Sequence, residues 1–205
     1  MLYTNEQHKK DTGAFYTPKI WADLAVKYMQ DFFGEGIFDF TFYDCAAGEG
    51  NLIDALPKGT KTICSTLEWK DVEILRDKGH QAFQLDFIEE FPVWFTDYIN
   101  NINNLVVFMN PPYFKLKAEH KAYGKDRYKT NDSVEIFYHR IINEMNADFI
   151  FSFNKLDLIQ SSKACSFRDK TNGKLTLLKC FVSPSKSWGL KGNFPIGFFM
   201  YMILK

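Results

Sequence analysis

The sequence predicts an α/β fold: a mostly parallel twisted sheet with helices on both faces and a C-terminal antiparallel hairpin. Two observations support this class. Short apolar runs alternate along the chain with segments whose apolar residues recur at helical spacing, which indicates parallel strands joined by right-handed helical crossovers. The last two apolar runs follow each other without an intervening helix, so they predict a hairpin at a sheet edge.

The elements can be placed in order along the chain. Thr17 is a good N-cap and Pro18 suits the first helical position, so a helix is expected from there to Gly34. Strands are expected at 38–43, 61–67, 81–85, 105–109 and 147–153. Further helical patterns lie near 49–56, 69–78, 93–102 and 132–145. The hairpin strands are expected at 175–182 and 194–204.

Length and composition predict one domain spanning residues 1–205. A hydrophobic content of 46% and an aromatic content of 17% argue against disorder. No apolar run is long enough to span a membrane, and the amino terminus lacks a signal-peptide core. The four cysteines are scattered without metal-ligand spacing. We therefore expect a cytoplasmic protein with reduced thiols and no metal site.

The formal net charge of zero conceals an uneven distribution. Residues 1–109 hold 9 Lys or Arg against 17 Asp or Glu, and residues 110–205 hold 16 against 8, so the balances are −8 and +8. The basic excess begins with Lys115, Lys117 and Lys121, among interleaved aromatic residues. Cations mixed with aromatic rings suit a nucleic-acid backbone and exposed bases, although an ordinary solvated loop is the alternative.

The most specific motif is Asn110-Pro111-Pro112-Tyr113, which directly follows the apolar run 105–109. The prolines must end the strand at its carboxyl end, where open α/β sheets bind their ligands. The Asn110 side chain and the Pro111 carbonyl supply two acceptors, and Tyr113 supplies an aromatic face. This set suits a flat base that carries an amine. The alternative is a rigid turn beside a half-buried tyrosine.

A glycine-containing loop, 44–51, follows the first predicted strand. Gly48 and Gly50 allow a tight turn and close approach of the backbone to a ligand. The loop lacks the lysine of a Walker motif and the third glycine of a dinucleotide fingerprint. Its acids, Asp44 and Glu49, favour a cationic ligand over a phosphate.

Two more acids close predicted strands. Glu68 ends the second strand, where a carboxylate can accept hydrogen bonds from both ribose hydroxyls. Asp86 ends the third strand, where it can accept from an adenine amine while the Phe87 ring stacks on the base. Helix capping is the alternative role for each acid.

Together these motifs resemble the S-adenosylmethionine-dependent amino methyltransferases, specifically the N6-adenine DNA methyltransferases of restriction-modification systems. The resemblance covers nearly the whole chain in the gamma-class motif order. It implies a Rossmann-like class I methyltransferase fold, S-adenosyl-L-methionine as cofactor and DNA as substrate. The segment 13–18 resembles the motif that touches the methionine part of the cofactor, and 44–50 resembles the cofactor glycine loop.

The resemblance also implies roles for individual residues. The implied cofactor-binding residues are Phe15, Tyr16, Thr17, Asp44, Ala46, Gly48, Gly50, Asn51, Glu68, Asp86, Phe87 and Asn110. The implied catalytic residues are Asn110, Pro111, Pro112 and Tyr113. Phe194 resembles the aromatic that packs against the target base, with Trp188 as its competitor. Lys115, Lys117 and Lys121 are the expected contacts to the nucleic acid.

The implied mechanism places a flipped-out adenine on Tyr113 while Asn110 and Pro111 accept hydrogen bonds from its N6 amine. No general base is assigned, because the amine becomes acidic only as it gains the methyl group. The four histidines, His8, His80, His120 and His139, form no convincing pair with an acid in the sequence.

One departure from the family concerns target recognition, since no separate recognition domain follows the catalytic motifs. Recognition is expected from a separate specificity subunit, from the basic loop with loose specificity, or from a C-terminal part outside this chain. The same four-residue motif also permits an RNA adenine or a protein glutamine as substrate. A catalytically weak accessory protein with the same fold is a further alternative.

Overall fold

Helices and strands alternate through the first five strands of the computed structural model, which describes residues 17–190 and 194–205. The strands are β1 (Thr41–Asp44), β2 (Lys61–Thr66), β3 (Gln81–Gln84), β4 (Leu105–Met109), β5 (Phe149–Lys155), β6 (Leu175–Pro184) and β7 (Pro195–Ile203). The helices are α1 (Lys19–Phe33), α2 (Trp69–Asp77), α3 (Val93–Asn100), α4 (Tyr123–Tyr128), α5 (Ser133–Glu144), α6 (Asp157–Gln160) and α7 (Cys165–Thr171).

All seven strands form one sheet in the order β3-β2-β1-β4-β5-β7-β6. The strands β1 to β5 are parallel, whereas β7 is antiparallel to both β5 and β6. The predicted α/β fold with its C-terminal hairpin is therefore confirmed. The chain runs outward from β1 in one direction through β2 and β3, and in the other direction through β4 and β5. Ligands of open parallel sheets bind at such a reversal of strand order.

Helices cover both faces of the sheet. The face covered by α1 and α2 includes Val106 and Phe108, and the face covered by α3 and α5 includes Leu105, Val107 and Met109. All five residues of β4 have no exposed surface, as expected for a parallel strand buried on both sides. The continuous apolar run that predicted this strand therefore has a direct structural explanation.

Three sequence predictions differ from the structure near the amino-terminal half. Pro18, not Thr17, occupies the cap position of α1, and proline has no side-chain oxygen to make a capping bond. The Thr17 hydroxyl instead accepts from Asn110. The first strand begins only at Thr41, because Gly34–Asp39 winds into a 3₁₀ helix. The helix expected near 49–56 is wrong; this segment contains only the short 3₁₀ turn Ile53–Ala55.

Three short helices, α4, α6 and α7, were not predicted. They have 6, 4 and 7 residues, which is too short for an apolar period to be recognised. Among the described helices, none combines the length and apolarity required to cross a lipid bilayer.

A buried arginine joins α5 to the loop after β3. The Arg140 side chain is only 1% exposed and donates to the carbonyl of Phe87 at 2.7 Å and to the carbonyl of Glu89. It also forms an ion pair with Glu144 at 2.9 Å and lies 3.5 Å from the centre of the Phe91 ring. Every side of this charge is thus occupied by an acceptor or a ring, which is the condition for burying it.

We expect Arg140→Ala to lower the free energy of unfolding by about 3–5 kcal/mol, because it removes the buried cation that bonds Glu144 and the carbonyls of Phe87 and Glu89. Urea denaturation followed by circular dichroism measures this change. Lys27→Ala is the matched control, since it removes an exposed ion pair with Asp31 and should cost at most about 0.5 kcal/mol. Equal losses for the two variants would contradict the structural role of Arg140.

Candidate active site

The side chain of Asn110 is held between two partners at the carboxyl end of β4. Its Nδ2 donates to the Thr17 hydroxyl at 3.0 Å, and its Oδ1 accepts from the Tyr113 hydroxyl at 2.8 Å. These two bonds fix which way the amide faces. An amide oxygen is an acceptor with two lone pairs, so Asn110 presents a hydrogen-bond acceptor of fixed orientation at this strand end.

The Tyr113 hydroxyl lies between two acceptors, because it is also 2.9 Å from the carbonyl of Phe153 in β5. Burial raises the pKa of Tyr113 well above its ordinary value, so the hydroxyl remains a donor. Its ring is partly buried against the core on the α5 face. The motif residue Tyr113 is therefore anchored to both β4 and β5.

Ser133, which the sequence analysis missed, fixes the turn after the motif. Its hydroxyl is fully buried, donates to the carbonyl of Pro112 at 2.5 Å and accepts from the N–H of Phe114 at 3.0 Å. Ser133 is the first residue of α5, whose N-cap is Asp132. The capping position was recognisable in the sequence, but the contact to a segment 21 residues away was not.

The glycine loop adopts the backbone that its sequence suggested. Gly48 and Gly50 have positive φ angles of 50° and 94°. A side chain at Gly50 would place its Cβ 2.7 Å from Cδ2 of Leu75 in α2, so only glycine allows this close packing. The N–H of Ala46 donates to Asp44 Oδ1 at 3.0 Å and tightens the start of the loop.

Thr17 joins the glycine loop to the Asn110–Tyr113 motif. It is 3% exposed; its carbonyl accepts from Asn51 Nδ2 at 3.3 Å while its hydroxyl accepts from Asn110. The structure thus brings together residues from three separate sequence motifs. The predicted cofactor residues Phe15 and Tyr16 lie outside the described residues.

Asp44 is a buried carboxylate at the end of β1, with 1% of its surface exposed. Burial raises the pKa of Asp44 from 3.8 to about 7, and the hydrogen bond from the Ala46 N–H opposes only part of that rise. No ion pair involves Asp44 within the described part of the chain. A ligand with positive charge near this carboxylate would favour its ionised form.

The other two acids lie at the expected strand ends. Glu68 is exposed and occupies the cap position of α2 without a side-chain capping bond, so capping does not explain this residue. Asp86 Oδ1 accepts from the N–H of Ile88 at 3.0 Å and stabilises its own turn.

The Phe87 ring, expected to stack on a ligand, lies in the hydrophobic core of the structure. The ring is 3% exposed and packs 4.4 Å from Phe137 and 5.1 Å from Phe91, measured between ring centres. It belongs to the core on the α5 face. Contact between Phe87 and a ligand would have to use the backbone.

Of the two aromatic residues that competed for the target-base position, the structure places Phe194 near Tyr113. The ammonium of Lys155 lies 5.1 Å from the Phe194 ring centre and 5.3 Å from the Tyr113 ring centre. Trp188 instead stacks on Trp21 at 5.7 Å in the core and is 8% exposed.

One histidine pairs with an acid, contrary to the sequence expectation. His80 Nε2 lies 2.8 Å from Asp54 Oδ1, and the same carboxylate forms an ion pair with Lys78 at 2.6 Å. Lys78 also donates to the carbonyl of Glu49 at 2.5 Å. The network therefore attaches to the glycine loop through the carbonyl of Glu49. It does not form an acid–base pair at the motif residues Asn110–Tyr113.

The basic loop presents Lys115, Lys117 and Lys121 to solvent, and no ion pair between described residues involves them. Lys125 has a different role, because its ammonium donates to three backbone carbonyls at 2.6–2.9 Å and stabilises the loop. Residues 17–190 and 194–205 contain no cluster of three or more side chains able to hold a metal ion.

The sequence matches no protein-family model and no curated protein sequence. Solved structures do share its fold. A candidate class I S-adenosylmethionine-dependent methyltransferase from Listeria monocytogenes superposes with a TM-score of 0.69 at 9% identity, over 91% of this chain and 60% of its own. The chain has the Rossmann-like class I methyltransferase fold.

Two further structures extend this comparison. The modification subunit of a candidate type I restriction enzyme from Vibrio vulnificus YJ016 has a TM-score of 0.68 at 10% identity, over 97% of this chain and 45% of its own. A candidate RNA methyltransferase from Pyrococcus horikoshii has a TM-score of 0.57 at 14% identity, over 96% of this chain and 100% of its own. The chain therefore spans 60% and 45% of the Listeria and Vibrio proteins.

We expect Asp44 to lower the stability of the ligand-free protein as pH rises. The folded protein keeps the Asp44 proton up to a pH of about 7, whereas the unfolded chain releases it near 3.8. Between these values the folded state binds more protons, so the free energy of unfolding falls with rising pH, by at most about 4 kcal/mol. Asp44→Asn should remove this part of the pH dependence of the free energy of unfolding.

Urea denaturation at several pH values from 4 to 8 measures the effect as the difference between the wild-type and variant profiles. Asp31→Asn is the control, because Asp31 is exposed and pairs only with Lys27. Parallel profiles for wild type and Asp44→Asn would show that Asp44 is ionised throughout this range.

Proposed function

We propose that this chain transfers a methyl group from S-adenosyl-L-methionine to the N6 amine of an adenine flipped out of DNA. The observation that carries the proposal is the oriented Asn110 amide at the end of the buried strand β4. Its oxygen lies at the carboxyl end of β4 and accepts from the hydroxyl of an anchored aromatic residue, Tyr113. A planar amine substrate needs this combination of acceptor and ring.

The residues around the strand ends fit the proposed cofactor. S-adenosyl-L-methionine supplies an electrophilic methyl group on a positively charged sulfur. The buried Asp44 carboxylate suits a ligand with positive charge, and the Gly48–Gly50 turn lets the backbone approach it. Glu68 and Asp86, at the ends of the next two strands, would hold the ribose and the adenine of the cofactor.

The chain's own residues act on the substrate amine by positioning it. Asn110 Oδ1 and the Pro111 carbonyl accept its two hydrogens, which aims the nitrogen lone pair away from the acceptors. Both oxygens then stabilise the positive charge that develops on nitrogen. Tyr113 and Phe194 would pack on the base. No described residue is required as a strong base, because the amine loses its proton only after it becomes cationic.

DNA is the proposed polymer because the exposed lysines Lys115, Lys117 and Lys121 follow the catalytic motif directly. The similarity to a restriction-enzyme modification subunit supports this choice. We propose further that sequence recognition is shared with a specificity subunit or with an additional recognition domain. RNA is the second candidate, supported by the match over the whole length of the Pyrococcus protein.

Incubation of the chain with methyl-labelled cofactor and DNA, RNA or a release-factor protein tests the proposal. We expect label in DNA, recovered as N6-methyladenine after digestion. Label recovered only from RNA would support the second candidate, and label on glutamine would contradict both. Cofactor binding by calorimetry without transfer to any substrate would support an accessory role.

Asn110→Ala should reduce the rate of transfer about 10²–10³-fold, because the substrate loses an oriented acceptor. The affinity for the cofactor, measured by calorimetry, should change by less than about tenfold. Asn101→Ala is the matched control, since this asparagine is exposed and its side chain donates to the carbonyl of Asp97 at the end of α3. Near-normal turnover of Asn110→Ala would reject its catalytic role.

Substitution of Lys115, Lys117 and Lys121 by alanine together should flatten the salt dependence of DNA binding. Each lost phosphate contact lowers the slope of log K against log salt by about 0.9 on duplex DNA. Fluorescence anisotropy between 50 and 300 mM salt measures the slope. The control replaces Lys27, Lys58 and Lys61 in the acidic half, and a slope that is the same in both triple variants would remove the basic loop from the interface.

A further inference from the structure

A polar cavity of about 390 Å³ opens beside Tyr113, over the carboxyl end of β5. Its lining includes Asn154 and Lys155, the last two residues of that strand, together with residues from the start of α5 and from α6. A cavity of this size accommodates a group as large as a nucleobase. The site proposed above uses only the Tyr113 side of this space.

The ammonium of Lys155 contacts the two rings proposed to hold the target base. It lies 5.3 Å from the centre of the Tyr113 ring and 5.1 Å from the centre of the Phe194 ring. Between described residues, Lys155 forms no hydrogen bond or ion pair through its ammonium, and the two rings do not contact each other. A base that packs on these rings must therefore meet three N–H donors that lack an acceptor.

The neighbouring Asn154 places a buried amide at this end of β5. Its side chain is 1% exposed, and its Nδ2 donates to the Tyr138 hydroxyl and to the Ser152 hydroxyl, both at 2.7 Å. These bonds fix the amide, and its Oδ1 is buried without a hydrogen-bond partner among the described residues. An acceptor left in this state favours a ligand that brings a donor into the cavity.

The proposed substrate has a requirement that Asn110 and Pro111 leave open. Both of those residues offer acceptors for the amine of adenine, but the ring nitrogens that flank the amine, N1 and N7, are themselves acceptors and need a donor. Within the described site, Lys155 is placed to supply one. A ring nitrogen that leaves water without gaining a donor loses a hydrogen bond, so the base would bind poorly.

We propose that Lys155 is a specificity-determining residue that donates a hydrogen bond to a ring nitrogen, N1 or N7, beside the amine of the target base. The inference rests on the proposed function. A cation near a nitrogen that becomes positively charged does not assist the transfer itself. Lys155 therefore acts on the binding and selection of the base, and its effect falls on KM for the nucleic acid and not on kcat.

The test compares random-sequence DNA containing adenine, 1-deazaadenine, 7-deazaadenine or 3-deazaadenine as substrate for wild type and Lys155→Met. For the wild type, KM should rise about 10–100-fold when N1 or N7 is replaced by carbon, whichever one Lys155 contacts, and little when N3 is replaced. For Lys155→Met, KM for adenine should rise by the same factor, and the deaza substitution should add no further loss.

Lys163→Met is the matched control, because Lys163 also lines the cavity but contacts neither ring. This variant should retain the full deaza penalty of the wild type. Cofactor affinity and thermal unfolding of Lys155→Met, measured in parallel, establish that the variant folds.

The inference would be overturned if the deaza substitution raised KM further in Lys155→Met, or if only 3-deazaadenine raised KM for the wild type. Neither result would affect the proposal that the chain methylates adenine. A loss confined to kcat would also overturn it. Absence of transfer from the wild type to any adenine-containing DNA would instead overturn the proposed function together with this inference.

Discussion

The complete burial of β4 between β1 and β5 is the constraint on which the rest of the molecule depends. All five residues of this strand are withdrawn from solvent on both faces, so the chain leaves the sheet at a defined point. The proline pair prevents any extension of the strand. Asn110 is therefore presented at the reversal of strand order, where its amide bonds to Thr17 on one side and Tyr113 on the other.

The helix α5 connects the two halves of the candidate site. Its first residue, Ser133, holds the carbonyl of Pro112, and two turns later Arg140 holds the carbonyls of Phe87 and Glu89. The loop that carries Asp86 and the loop that carries the Asn110–Tyr113 motif are thus attached to one rigid element. Movement of either loop relative to the other would break buried hydrogen bonds. The helix α5 therefore fixes the distance between the two loops.

Acidic and basic residues lie at different strand ends of the sheet. The acids Asp44, Glu68 and Asp86 lie at or just after the ends of β1, β2 and β3. The exposed lysines follow β4, and Lys155 is the last residue of β5. A cationic cofactor on one side and a polyanionic substrate on the other would each meet charge of the opposite sign. Asn110 lies where these two regions meet, which agrees with a role in transfer between two ligands.

The sequence by itself determined the fold class, the boundaries of β4 and the strand-end positions of Asn110, Asp44, Glu68 and Asp86, because apolar periodicity and proline act locally. Only the tertiary structure decided that Phe87 is a core residue, that Phe194 and Tyr113 both lie against Lys155 while Trp188 lies in the core, that Ser133 bonds Pro112, and that Asn154 and Lys155 line the cavity beside Tyr113. These residues are separated along the chain by tens of positions. Their proximity depends on sheet order and helix packing, which no local pattern encodes.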